Sequence, residues 1–278
     1  MKSTYTLAHS LNPSFEVVIK HIYQVTSQLK IPFFIAGATA RDIIIHHVFD
    51  RNPGRRTFDI DTAIFVSSWE EFNQVKSALL SFEIEETNIA HRLRHKQSGL
   101  PIDIIPFGEV SDADGNITWP PEHDITMSVA GFEEAFNAAL LVKVSEGIQI
   151  HVASLPGLAL LKLIAWNERK SETRKDAQDF FNIMQHYTHI NGDRLWDEVI
   201  PSEALNYKPE RQAAYLLGLD MVTLLTNKPY PQLSAIKTDF DQQFKEAITR
   251  QSSLTDATEI VQLVDDFWQG LERGAACE

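Results

Sequence analysis

IPFFIAGATARDIIIHHVFDRNPGRRTFDID, residues 31–61, reads as a strand, a tight turn, a helix, a loop and a second strand. Residues 31–36 are an apolar run that ends at Gly37-Ala38-Thr39, small residues that let a backbone turn sharply and approach a ligand closely. A helix is expected to open at Thr39 and run through Arg41-Asp42-Ile43-Ile44-Ile45, and its free N–H groups suit a phosphate. Asn52-Pro53-Gly54-Arg55-Arg56 has the chemistry of a loop, and a strand is expected from Phe58 to Val66. Side chains alternate along a strand, so Asp59 and Asp61 share one face while Phe58 and Ile60 take the other. Their Cα atoms then lie roughly 6.6 Å apart, which lets two carboxylates lean onto divalent ions about 3.5–4 Å apart.

Downstream of this stretch, Ser68 and Glu71 form a capping box for a helix running through Val75, Leu79 and Leu80. Strands are expected from Ile89 to Arg94 and from Leu100 to Phe107, paired across Lys96-Gln97-Ser98-Gly99. The second contains Asp103 among Ile102, Ile104 and Ile105. A carboxylate inside an apolar strand costs free energy unless it is paired, binds metal or faces water at a strand edge. Upstream, residues from Pro13 to Leu29 carry Phe15, Val18, Ile19, Ile22 and Val25 at helical spacing.

Residues 112–124 read as a polar loop, followed by a short helix around Phe132 to Ala138 and a hairpin from Leu140–Val144 to Ile148–Val152. Strand patterns give way to helical ones after Ala153, so two domains are expected, 1–153 and 154–278. Ser154-Leu155-Pro156 caps the first helix of the second domain. On it Lys162 shares an apolar stripe with Leu158, Ala159, Ala165 and Trp166, where a lysine stem can lie on apolar surface with its ammonium in water. Further helices are expected from Arg194 to Val199, Glu210 to Thr226, Tyr230 to Thr249 and Thr255 to Leu271. The ten histidines show no zinc-ligand spacing.

The net charge of −13 argues against a protein that coats nucleic acid through overall basicity. Basic residues are nonetheless clustered: Arg51, Arg55 and Arg56; His91, Arg92, Arg94, His95 and Lys96; and Arg169, Lys170, Arg174 and Lys175. The single cysteine, Cys277, supports no internal disulfide and fits a reducing compartment. No secretory signal and no membrane-spanning run is read, so a cytoplasmic protein is expected.

Gly-small-Thr with Arg41-Asp42 on the next helix, then Asp59-Ile60-Asp61 on a strand, resembles the nucleotidyltransferases of the DNA polymerase β superfamily. Arg56 ahead of Phe58-Asp59-Ile60-Asp61 is similar, more narrowly, to the AbiEii-type toxins of bacterial toxin–antitoxin systems. The Thr39–Ile44 segment is also similar to the head of CCA-adding enzymes. These families usually carry Gly-Gly or Gly-Ser where this chain has Gly37-Ala38.

The resemblance implies an α+β fold, with a small mixed sheet flanked by helices and a helical domain completing a nucleotide cleft. It makes Asp103 the third carboxylate beside Asp59 and Asp61, the three holding Mg²⁺ or Mn²⁺. It gives Gly37, Ala38, Thr39 and Arg41 the phosphates of a nucleoside triphosphate. The segment from Leu158 to Arg169, followed by Arg174-Lys175-Asp176, resembles later motifs of the same toxins; by that likeness Lys162 meets the triphosphate and Asp176 turns toward the same site. The implied activity is transfer of a nucleotide to an acceptor hydroxyl, on an RNA 3′ end such as tRNA or on a protein. A cognate antitoxin is the implied partner. A small-molecule nucleotidyltransferase of the aminoglycoside-modifying kind would use the same carboxylates, and a catalytically idle nucleotide-binding module would keep the fold alone.

Overall fold

The structure, a computed structural model, describes residues 4–225, 230–250 and 256–275; Cys277 and the expected helix ends at Thr226 and Thr255 lie outside them. The chain divides into two compact units, Met1–Ser154 and Leu155–Glu278.

The first unit is built on a mixed sheet. After β1 (Thr4–Thr6) comes α1 (Pro13–Leu29), opened by the Asn12 side chain accepting from Ser14 N–H at 3.0 Å and closed by Lys30 in the left-handed region. Its apolar stripe is buried at Val18, Ile19, Ile22 and Val25. Next come β2 (Phe33–Ile35), α2 (Gly37–Asp42), a π-helical continuation (Ile43–Val48) and β3 (Ile60–Val66). Then follow α3 (Trp69–Leu79), β4 (Ile84–Glu86), β5 (Arg92–His95) and β6 (Pro101–Gly108). A two-stranded ribbon pairs β7 (Asn116–Thr118), inside the region read as a loop, with β8 (Thr126–Ser128), just beyond it. α4 (Phe132–Asn137), β9 (Leu140–Ser145) and β10 (Ile148–Val152) complete the unit.

The eight-stranded sheet has the order β1-β9-β10-β2-β3-β6-β5-β4. β3 runs parallel to β6 and antiparallel to β2, and β6 is antiparallel to β5. β3 and β6, the two strands expected to carry the carboxylates, are therefore direct neighbours inside the sheet. Their apolar residues Ile60, Ile64, Ile102 and Phe107 are fully or almost fully buried. Phe107 packs edge-on against Phe34 of β2 at 5.6 Å between centroids and touches Phe136 of α4 at 5.8 Å.

Three differences from the sequence reading have physical causes. The second strand starts at Ile60, not Phe58, because the Asp59 carbonyl accepts from the Thr39 hydroxyl at 2.8 Å, a bond outside the strand ladder. The helix after the turn starts at Gly37 instead of Thr39, since Ala40 N–H donates to Ala36 C=O at 3.0 Å and closes the first turn ahead of Thr39. β5 begins at Arg92 because the Thr87 hydroxyl holds residues 87–92 in a turn, accepting from Ile89 N–H at 3.1 Å and donating to Arg92 C=O at 2.8 Å. The Ser68 half of the expected capping box is present, Ser68 accepting from Glu71 N–H at 3.3 Å, while the Glu71 carboxylate accepts from Ser67 N–H at 2.7 Å, one residue ahead of the cap.

The second unit consists of α5 (Leu155–Arg169), α6 (Lys175–Ile190), a 3₁₀ turn (Gly192–Trp196), α7 (Pro209–Val222), α8 (Tyr230–Thr249) and α9 (Ala257–Ala275). The helix expected at Arg194–Val199 is only this 3₁₀ turn, ending where Asp197 turns extended. α7 and α9 cross through two glycines: a Cβ on Gly218 would lie 2.2 Å from the Phe267 carbonyl oxygen, and one on Gly270 would lie 2.0 Å from that of Tyr215.

Candidate active site

Parallel pairing of β3 with β6 sets Asp61 directly opposite Asp103. Asp59 sits in the bend just before β3, where the Thr57 hydroxyl donates to its Oδ1. Oxygens of Asp59, Asp61 and Asp103 all lie within 4.8 Å of one another. Among the described residues no other group of three or more His, Cys, Asp or Glu side chains converges in this way. An all-oxygen carboxylate set suits a hard divalent cation such as Mg²⁺ or Mn²⁺, so the residues present fit such an ion.

Gly37 makes the convergence possible. A Cβ at Gly37 would lie 2.1 Å from Asp61 Oδ2, and φ there is +55°, so both the space and the backbone demand glycine. The next residue, Ala38, donates its N–H to that same Asp61 Oδ2 at 3.1 Å. Thr39 points inward: its hydroxyl donates to Asp59 C=O, and Asp61 N–H lies 3.3 Å from it. Gly37, Ala38 and Thr39 thus all hold the two aspartates in the form seen here. Arg41 is 6% exposed and donates to Asp42 Oδ1 through Nε and Nη2, at 3.1 and 2.7 Å, and to Arg55 C=O. Asp42 also accepts from Thr57 N–H at 3.0 Å. Arg41 and Asp42 therefore tether the loop that delivers Asp59.

Two features of the site escaped the sequence reading. Arg92, read there only as part of a basic cluster, pairs in register with Asp103 across β5 and β6. Its pKa is raised, foremost by the hydrogen bond to Asp103 and against the effect of burial, with Asp59 and Asp61 adding to the rise. The second feature is a cavity of about 360 Å³ walled by Phe15, Thr39, His46, Arg56, Thr57 and Phe58, and so by part of the loop that precedes Asp59; none of the three aspartates lines it. Phe58 is 82% exposed, an unusual position for an aromatic beside a carboxylate cluster.

Lys162 and Asp176 are brought together within the helical unit. Asp176 is 1% exposed; Arg169 binds it through Nε at 2.6 Å and Nη2 at 2.8 Å, and Lys162 Nζ lies 3.1 Å away. Lys162 also pairs with Asp179 at 2.7 Å. Burial pushes the Asp176 carboxyl up, but the Arg169 hydrogen bonds and the Lys162 charge outweigh it, and the net shift is downward. The Lys162 ammonium thus holds two carboxylates.

No protein-family model and no curated protein matches this chain. Among solved structures, it is similar to ANT(2'')-Ia in complex with adenylyl-2''-tobramycin, at 14% identity and a TM-score of 0.41 over 65% of this chain and 92% of that one. It is also similar to an antigenic nucleotidyltransferase-like protein from Paracoccidioides brasiliensis, at 17% identity and 0.39 over 62% and 76%. A third is CdnC of E. coli MS115-1 in its HORMA-deltaN complex, at 12% identity and 0.34 over 95% and 93%. Such values are too low for an activity to be carried across from these proteins. No described helix is long and apolar enough to cross a membrane.

Proposed function

We propose that the chain is a metal-dependent nucleotidyltransferase with a polymerase β-like first domain, moving a nucleoside monophosphate from a nucleoside triphosphate to an acceptor hydroxyl. The observation that supports this best is the convergence of Asp59, Asp61 and Asp103 within 4.8 Å, beside the Gly37–Thr39 turn. Divalent ions bound there would neutralise the triphosphate, activate the acceptor hydroxyl and stabilise departing pyrophosphate. Asp59 and Asp61 would hold the cations on the triphosphate side, and Asp103 would serve the acceptor side, where it could take the hydroxyl proton. Phosphate binding at the turn would transfer the Ala38 N–H from Asp61 Oδ2 to the ligand. Arg41 would add a cationic contact by exchanging Asp42 for phosphate. Lys162 and Asp176 enter the proposal on the sequence resemblance alone.

The finer reading, also from the sequence motifs, is a toxin of the AbiEii type acting on an RNA 3′ end such as tRNA or on a protein hydroxyl, with a cognate antitoxin as partner. The decisive experiment incubates the full chain with Mg²⁺, each labelled nucleoside triphosphate, and total RNA or cell lysate. Label is expected on RNA or protein and is lost with a chelator. Label on an added aminoglycoside would replace the macromolecular acceptor by a small one. Absence of both label transfer and metal-dependent triphosphate binding would sink the enzymatic proposal.

A further inference from the structure

Asp103 already carries a cation. Arg92, its cross-strand partner on β5, places Nε 2.6 Å from Oδ1 and Nη2 2.6 Å from Oδ2, so one planar guanidinium engages both oxygens of the carboxylate expected to receive metal. The pair is set by strand register and shielded by the sheet: the Asp103 side chain is 11% exposed and that of Arg92 34%. An ionised carboxylate offers about four lone-pair sites, so the geometry alone does not forbid a guanidinium and a metal ion on one group. Charge does oppose it, because a divalent ion drawn within about 4 Å of a guanidinium meets strong repulsion at a partly buried site.

We infer that Arg92 is a built-in countercation that competes with the divalent metal for Asp103, so that full occupation of the three-carboxylate site requires Arg92 to withdraw from it. In the metal-free protein the guanidinium offsets the mutual repulsion of three carboxylates and keeps Asp103 turned toward the site. Once displaced it remains beside the site as a mobile cation on an unbroken strand. Arg92 is on this account a positioning residue. The inference rests on the metal-binding function proposed above, and it differs in sign from the ordinary expectation for a residue that merely orients a ligand, whose loss weakens metal binding.

The test is Mn²⁺ binding by the full chain, measured from the paramagnetic signal of free Mn²⁺, for wild type, Arg92→Gln, Arg92→Lys, Asp103→Asn and the Arg92→Gln/Asp103→Asn double variant. Arg92→Gln is expected to bind Mn²⁺ about three- to tenfold more tightly, the scale of a partly exposed bidentate ion pair. Arg92→Lys should fall between it and wild type. The gain should vanish when Asp103 is Asn, because the competition is for that carboxylate. Affinity unchanged or weakened in Arg92→Gln, or a gain that persists without Asp103, overturns the inference. Circular dichroism monitors folding. If Arg92→Gln does not fold, Arg92→Lys carries the comparison, and no tightening in it has the same consequence. Failure of the wild-type protein to bind Mn²⁺ at all would instead remove the metal site itself, a distinct result.

Discussion

One absent methyl decides the carboxylate site: the space a Gly37 Cβ would fill is taken by Asp61 Oδ2. Gly37→Ala must relocate Asp61 and strain a left-handed backbone, which costs on the order of 1–3 kcal/mol. Lower stability in urea together with weakened Mn²⁺ binding is expected, and unchanged Mn²⁺ affinity would show that Asp61 is not held by this contact. Asp103→Asn is expected to spare much of the triphosphate affinity while cutting the chemical step by at least on the order of 10²-fold, measured by single-turnover labelling. Because Arg92 already compensates Asp103, the same change should also lower metal-free stability rather than relieve repulsion. Asp61 and Asp103 were legible in sequence because carboxylates inside apolar strands are conspicuous, and Asp59 was singled out by its spacing from Asp61, although it lies in the bend before β3. Arg92 was not, since a basic run from His91 to Lys96 looks like solvated surface. Only the β5–β6 register sets Arg92 opposite Asp103, and a slip of one residue would turn it to the other face.

At the scale of elements, the long amphipathic helix α1 and the capped α3 followed directly from periodicity and cap chemistry. The π-helical run Ile43–Val48 did not, because its three isoleucines and two histidines suit an α-helix equally well. Nor did β4, a three-residue strand held mainly by its pairing with β5. Between α5 and α6 the consequence is a stability device. The Asp176 carboxyl titrates below its ordinary value of 3.8 in the folded chain, so its contribution is complete above that value and is lost as pH falls through the folded one. Unfolding midpoints should therefore hold down to about pH 4 and drop as pH falls further, below the ordinary carboxyl value and toward the lowered folded one. Asp176→Asn should blunt that drop and cost about 1.5–3 kcal/mol at neutral pH, the scale of lost hydrogen bonds to a charged group, since Arg169 is half exposed and Lys162 keeps Asp179. Lys162→Ala separates two roles of one lysine. Its ion pairs predict a lower melting temperature, whereas the phosphate role also demands weaker triphosphate binding by calorimetry. A stability loss with unchanged affinity would remove Lys162 from the proposed site.

For the whole molecule, the change from strand to helix patterns after Ala153 was visible in sequence, and the chain divides into its two compact units between Ser154 and Leu155. The glycine crossing of α7 and α9 was not visible, since glycines inside a helical pattern carry no sign of which neighbour approaches them. Net charge enters at this scale as well. With 38 acidic against 25 basic residues the chain repels itself, so any added salt gives some stabilisation by screening. A specific metal site must be distinguished from that background. Mn²⁺ bound only by the folded chain stabilises it by about 2.7 kcal/mol at a hundred times its dissociation constant, whereas screening depends on ionic strength alone. The melting temperature is therefore expected to rise more with Mn²⁺ than with NaCl of equal ionic strength. The excess should disappear in Asp59→Asn and Asp61→Asn, each of which changes the net charge by only one unit. If those variants keep the full excess, the cation is bound by the acidic surface at large, and the convergence of the three aspartates has no role in holding it.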